Sequence, residues 1–142
     1  MQRFNIRVYG ILINSNKEVL LSDESRYGTS FTKFPGGGLN WGEGTKKCLQ
    51  REFLEELNVE IEVGEPFYLT DFFQESAFNQ NDQLLSFYYF VTLKSPNTID
   101  ELQLEGHHDD GESFRWKALD QLSEDNVTFP IDKLVAEKLS QL

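Results

Sequence analysis

The sequence is poor in the residues that staple, anchor or interrupt a chain. Cys48 is its single cysteine, so no disulfide can close within it, and a reducing compartment suits such a chain. There are one methionine and four prolines. No run approaches the roughly 18–20 apolar residues that span a bilayer, and the opening MQRFNIRV lacks the apolar stretch of a secretory signal. A cytoplasmic protein with no membrane partner is the expectation. Basic residues are also scarce. Thirteen Lys and Arg stand against 24 Asp and Glu, a net charge of −11, which argues against a broad basic face for extended nucleic acid. A small phosphorylated substrate stays open, because a bound cation reverses the local sign of a site.

What the chain does have is an ordinary globular composition, 39% hydrophobic and 26% charged, with twelve Phe in all and much of its aromatic share between residues 67 and 90. Its 142 residues suit one domain, 1–142, with a core that needs no metal or disulfide staple. Residues 3–13 read as a strand, 14–16 as a turn and 18–22 as a short partner strand. The polar segment 23–33 reads as a surface loop. Pro35 and Gly36–Gly38 are expected to forbid regular structure. Residues 45–57 (TKKCLQREFLEEL) read as a helix. Aromatic-rich strands are expected at 66–74 and 84–93, then a long acidic connection over 94–111. A strand at 112–117, a short helix near 118–124 and a last helix at 131–141 complete the reading. Intermingled strands and helices point to an α/β or α+β layered fold.

The helix at 45–57 carries the chemistry. At about 100° per residue, Glu52, Glu55 and Glu56 share one sector about 100° wide. Leu49, Phe53 and Leu57 form the adjoining stripe, so the carboxylates run along the edge of a face that should pack on the sheet. Like charges this close raise one another's pKa, and a hard divalent cation such as Mg²⁺ or Mn²⁺ relieves them with oxygen ligands. Taken alone, the same pattern also describes a solvated acidic helix face.

The surroundings decide between the two. Gly37, Glu43, Arg51, Glu52, Phe53, Glu55, Glu56 and Val59 stand in register with a pattern of Gly, five residues, Glu, seven residues, Arg-Glu-apolar-any-Glu-Glu-any-Gly-apolar. In this the chain resembles the Nudix hydrolase family. The resemblance implies a Nudix-type α/β/α sandwich with a mixed sheet, and a metal-dependent hydrolase that cleaves a phosphoanhydride bond in a nucleoside di- or triphosphate derivative. A catalytically silent Nudix-like binding or sensor module is the alternative. One position departs: the pattern's last Gly is Asn58 here. Asn is the next most tolerant residue for a left-handed helix end, and the change removes no carboxylate.

By the same resemblance, Glu52 and Glu56 are expected as metal ligands, with Glu55 a third ligand or a water-mediated partner and Mg²⁺ (or Mn²⁺) the cofactor. The general base is one of these glutamates or an acid from a distant loop, where Asp109, Asp110 and Glu112 stand; Glu112 is included among the metal candidates. Arg51 either orients a carboxylate or pairs with Glu55 one turn on. Glu43 either supports the helix start or joins the metal shell. Gly37 and Gly38, within the run Gly36–Gly38, allow close approach of backbone to ligand. Arg3, Arg7, Arg26 and Lys33 are the cations placed to meet a substrate phosphate, each weighed against an ordinary surface charge. Cys48 reads as a small spacer beside the acids. His107 and His108 show no zinc-ligand spacing. Trp41, Phe72, Phe73 and Phe78 are candidates to stack on a base, against core packing for those on strands. The partner expected is a small phosphorylated molecule; a homodimer stays open.

Overall fold

The structure is a computed structural model that describes residues 1–102, 104 and 111–142. The first strand, β1 (Arg3–Leu12), organises it. Its inner half is buried on both faces, as expected of a central parallel strand. It runs parallel to β6 (Asp82–Leu93) in unbroken register from Arg3 opposite Asp82 to Leu12 opposite Val91. On its other edge it pairs antiparallel with β4 (Gly36–Gly38), and β5 (Ile61–Leu69) pairs antiparallel with β6. The order β4-β1-β6-β5 is therefore a mixed sheet. A second, antiparallel sheet has the order β3-β2-β7, from β2 (Glu18–Arg26), β3 (Thr29–Lys33) and β7 (Glu112–Ala118).

Alternation along β1 divides the core. Val8 and Leu12 pack with Leu49, Phe53 and Leu57 of α1 (Thr45–Leu57). Tyr9 and Ile11 pack with Ile131, Val135 and Leu139 of α2 (Pro130–Leu139). The two helices thus cover opposite faces, an α/β/α sandwich with a mixed sheet. No helix among the described residues is long and apolar enough to cross a membrane.

Several element assignments change. Residues 23–33 are not a loop: Ser22–Arg26 pairs with Thr29–Lys33 in a tight hairpin. Its turn places Tyr27 and Gly28 at φ 54° and 74°, the left-handed pair that matches strand twist. Gly36–Gly38 does form a strand. Gly36, at φ 145°, lies so close to β1 that a side chain would collide with the Val8 carbonyl. The strand expected at 66–74 begins earlier, at Ile61, and its register shifts on either side of Pro66, which cannot donate to the ladder. Phe72 and Phe73 fall beyond its end. The short helix near 118–124 is instead two 3₁₀ turns, Leu119–Gln121 and Glu124–Asn126. Pro96–Glu101 adds another within the acidic connection; Asp109, Asp110, His107 and His108 lie outside the described residues.

Asn58 ends α1 at φ 55°, and its N–H donates to the Leu54 carbonyl. The left-handed conformation is the reason a glycine or asparagine belongs there. Asn58→Gly is expected to leave stability unchanged or raised. Asn58→Val should lower it by about 1–2 kcal/mol, as measured by urea unfolding.

Candidate active site

A cavity of about 590 Å³ opens against the β1–β6 face that carries Tyr9 and Tyr88. Two strands pave it by alternation, Arg3, Asn5, Arg7 and Tyr9 from β1, and Asp82, Leu84, Ser86 and Tyr88 from β6. Glu52 and Glu56 of α1 enter its lining beside Gly36–Gly38. An aromatic group lines it too. Phe31, Phe78 and Phe129 meet one another with centroids 5.2–5.7 Å apart, and Tyr27 lies 6.1 Å from Phe78.

The acidic sector of α1 is split by its surroundings. Glu52 and Glu56 turn into the cavity, whereas Glu55 is exposed and outside its lining. Gly37 makes room for Glu52, since any side chain there would strike the Glu52 carboxylate. Burial pushes the Glu56 carboxyl up, and Glu112, Glu52 and Glu24 push it further while Lys33 opposes them. Glu112, at the start of β7, is raised by burial and by Glu24. It is buried but does not reach the cavity wall.

Arg51 does both things considered for it. Its Nη1 donates to Glu52 Oε1 at 3.1 Å and to Glu55 Oε1 at 3.0 Å. Its Nε and Nη2 donate to both Glu43 oxygens, at 3.0 and 2.7 Å, and Nη2 also to the Gly38 carbonyl. Glu43 accepts the Asn40 N–H as well, so it ties the loop before α1 to the helix, and the Arg51 bonds hold its carboxyl down at about 2. No side chain caps Gly44 at the helix start. Cys48 donates to the Gly38 carbonyl, and burial pushes its thiol up to about 12, which leaves it inert as a nucleophile.

Four cations were placed near the groove, and all four line the cavity. Arg7 donates through Nε to the Tyr9 hydroxyl, lies beside Gly38 and lines the cavity. Arg3 is engaged with Asp82 at 2.7 and 3.1 Å. Arg26, half exposed, donates to Glu24 Oε1. Lys33 is buried, with Nζ 3.0 Å from Glu24 Oε2. Of the aromatic candidates, Phe78 joins the lining, whereas Trp41, Phe72 and Phe73 do not; Trp41 is fully exposed.

The donor set suits a hard cation, since it consists of carboxylates and backbone carbonyls. Glu52 and Glu56, which line the cavity, are the residues that could hold one. Among the described residues, no three side chains are drawn together as a finished metal cage. Arg51 engages Glu52, and Lys33 engages Glu24.

The NUDIX domain model matches residues 3–138. The chain belongs to this family, the Nudix-type hydrolases. Its fold is similar to a MutT protein from Methanosarcina mazei Go1, with TM-score 0.71 and 18% identity over 99% of this chain and 95% of that one. It is also similar to MutT studied from Aliivibrio salmonicida and Vibrio cholerae, with TM-score 0.63 and 22% identity over 98% of each chain. A third is an ADP-ribose pyrophosphatase from Streptococcus suis 89-1591, with TM-score 0.60 and 16% identity over 96% and 87% of the two chains. No curated protein matches the sequence.

Several residues of this Nudix site escaped the sequence reading: Glu24, Ser22, Tyr9, Tyr88 and Asp132. The two-residue alternation of polar side chains on β1 was the available signal for its cavity face. Asp132, near the start of α2, had none. It is buried, accepts a hydrogen bond from the Tyr88 hydroxyl and lines the cavity. Burial pushes its carboxyl up to about 6, against the lowering by Tyr88, Lys33 and Arg7. The folded chain therefore holds this proton more tightly than the unfolded one, where an aspartate titrates near about 3.9. The resulting stabilisation is fully present below about pH 4 and lost as pH rises through about 6. Between these limits the stability of the wild type should fall relative to Asp132→Asn by on the order of 1–3 kcal/mol. Urea unfolding at several pH values measures it, and a difference that does not change with pH contradicts the assignment.

Proposed function

We propose that this Nudix hydrolase is divalent-metal-dependent and cleaves a phosphoanhydride bond in a nucleoside di- or triphosphate derivative. One observation carries the reading: Glu52, Glu56, Arg7 and the Phe31–Phe78–Phe129 group all line a single cavity. The cavity volume, about 590 Å³, lies within the range of small-molecule sites. Acids for a cation, a guanidinium for phosphate and aromatic faces for a planar ring are the parts such a substrate asks for. The names of structural neighbours, an ADP-ribose pyrophosphatase and a UDP-X diphosphatase, agree in reaction class.

Glu52 and Glu56 would hold Mg²⁺ or Mn²⁺, which supplies polarisation of phosphate oxygens and a lower pKa for water. Arg51 fixes the Glu52 carboxylate from the side away from substrate and, through Glu43, fixes the loop that carries it. Gly37 and Gly38 keep the backbone low enough for the phosphate chain to approach. Arg7 presents a planar fork of donors, the geometry that matches phosphate oxygens; Arg26 adds charge at the rim. A water oxygen bonds to one phosphorus as the bridging P–O bond breaks. The leaving oxygen departs as a phosphate or phosphomonoester, and the proton passes to an acid of the Glu52–Glu56 group that lines the cavity. The base stacks on Phe78 or its neighbours, a contact worth about 1–3 kcal/mol in other aromatic base sites.

Glu56→Gln should lower Mg²⁺-dependent turnover on the order of 10²-fold or more with the fold intact. The check is phosphate release from a panel of nucleotides and sugar nucleotides after phosphatase addition, with circular dichroism for folding. Undiminished turnover in that variant contradicts the ligand assignment.

A further inference from the structure

The segment between β5 and β6 crosses one end of the cavity. Residues 74–76 turn back on 82–84 as a short antiparallel extension of β6. The Leu84 N–H donates to the Gln74 carbonyl, the Ser76 N–H donates to the Asp82 carbonyl, and Glu75 stands opposite Gln83. The turn is closed by the Asp82 N–H on the Asn79 carbonyl and by the Asn81 N–H on Asn79 Oδ1. Phe78 therefore sits at the tip. Gln74, Ser76, Ala77, Phe78 and Asn79 all line the cavity.

The base and the tip of this hairpin are held differently. Asp82 is buried at the base. Arg3 grips it with both prongs of its guanidinium, at 2.7 and 3.1 Å, and Asn5 donates to the same carboxylate. The Arg3 N–H also donates to the Asn81 carbonyl. A two-pronged pair of this kind fixes orientation as well as distance. The tip has no such tie: among the described residues, no hydrogen bond or ion pair joins 77–80 to β2, β3 or α2. Phe78 reaches them through rings alone. Its centroid lies 5.4 Å from that of Phe31 on β3, 5.7 Å from Phe129 before α2 and 6.1 Å from Tyr27 in the β2–β3 turn. Phe78 and Tyr27 are 47% and 83% exposed, and single ring pairs are weak contacts. The hairpin extends the first sheet, whereas these rings belong to the second sheet and to the start of α2. Phe78 thus bridges the two across the cavity. A firm base with a weakly held tip is the pattern of a segment that opens locally at low cost.

We propose that residues 74–84 form a lid over this end of the cavity: Phe78 latches it onto Tyr27, Phe31 and Phe129, and Arg3, through Asp82, fixes its hinge. The inference rests on the nucleotide-hydrolase reading above, because the end it covers is the one assigned to the base. Opening parts Phe78 from three rings and leaves the hinge bonds intact, which admits a planar ring. Closing returns the Phe78 face against that ring. Arg3 is then a positioning residue, its guanidinium engaged by Asp82 rather than by phosphate.

Hydrogen exchange of the intact chain, read by mass spectrometry, tests the lid without substrate. Phe78→Ala should raise exchange in peptides from 76–82 about tenfold and leave those from 6–12 and from α1 unchanged. No change in 76–82, or a rise shared by the whole chain, overturns the proposal. Turnover tests what the lid does. In the double variant Tyr27→Cys/Phe78→Cys, a short bis-methanethiosulfonate reagent ties the two positions, while the native Cys48 is buried. Phosphate release over the nucleotide panel should fall about tenfold or more on tying and return on reduction with dithiothreitol. Equal turnover of tied and reduced forms overturns the proposal, since a fixed wall needs no freedom to move. Arg3→Gln should raise KM about tenfold with kcat retained, and Arg3→Lys, which keeps a cation for Asp82, should stay near wild type. A fall in kcat with KM unchanged overturns the hinge assignment. A wild type that hydrolyses nothing in the panel overturns the functional reading beneath, and hydrogen exchange then decides the lid by itself.

Discussion

The arrangement of this site is governed by an excess of buried negative charge. Glu24, Glu52, Glu56 and Glu112 come from three different elements and raise or oppose one another's ionisation. Desolvation of even one carboxylate is expensive, so the surrounding structure is built to answer it. Arg51 gathers Glu43, Glu52 and Glu55 on the outer side of α1. Lys33 answers Glu24 from within. Glu56 is left with no ion pair among the described residues, and it is the carboxyl that burial pushes up. On the proposed reading, a hard cation at Glu52 and Glu56 would complete the balance that the protein's own cations leave open.

The rest of the fold holds that charge in place. Leu49, Phe53 and Leu57 anchor α1 in the core, and they fix the rotation that sends Glu52 and Glu56 inward and Glu55 outward. Gly36 and Gly37 bring β4 against β1 and against the Glu52 carboxylate. Parallel pairing of β1 with β6 places their polar residues two apart along one wall. The same alternation that buries Val8 and Ile11 on opposite faces therefore also aligns Arg7 with Tyr9.

What could be read from the sequence was local. The helix at 45–57 and its acidic sector depend only on a 3.6-residue period, and the left-handed Asn58 only on backbone preference. The hairpin at 22–33 was missed because its side chains are polar where they face water and the cavity, so no apolar alternation marks it. Gly36–Gly38 was misread because glycine run signals loop, whereas close approach to β1 is what demands glycine here. Glu24 and Asp132 gave no signal at all. Each acquires its role through pairing across strands or elements, Lys33 on the neighbouring strand and the distant Glu112 for the one and Tyr88 for the other. The roles of Glu52, Glu55 and Glu56 come from resemblance to a family pattern, and those of Arg7 and Arg26 from their place on the opening strand and the loop beside the groove; the structure adds which of them share a cavity.

The central claim is that Glu52 and Glu56 hold the ion beside the phosphate chain. Anomalous diffraction at the manganese edge, from crystals grown with Mn²⁺ and a non-hydrolysable nucleotide, tests it directly. The account predicts an ion bonded to carboxylate oxygens of both Glu52 and Glu56 and to a phosphate oxygen. A manganese peak confined to Glu24 and Glu112, or to surface acids away from the cavity, would contradict it.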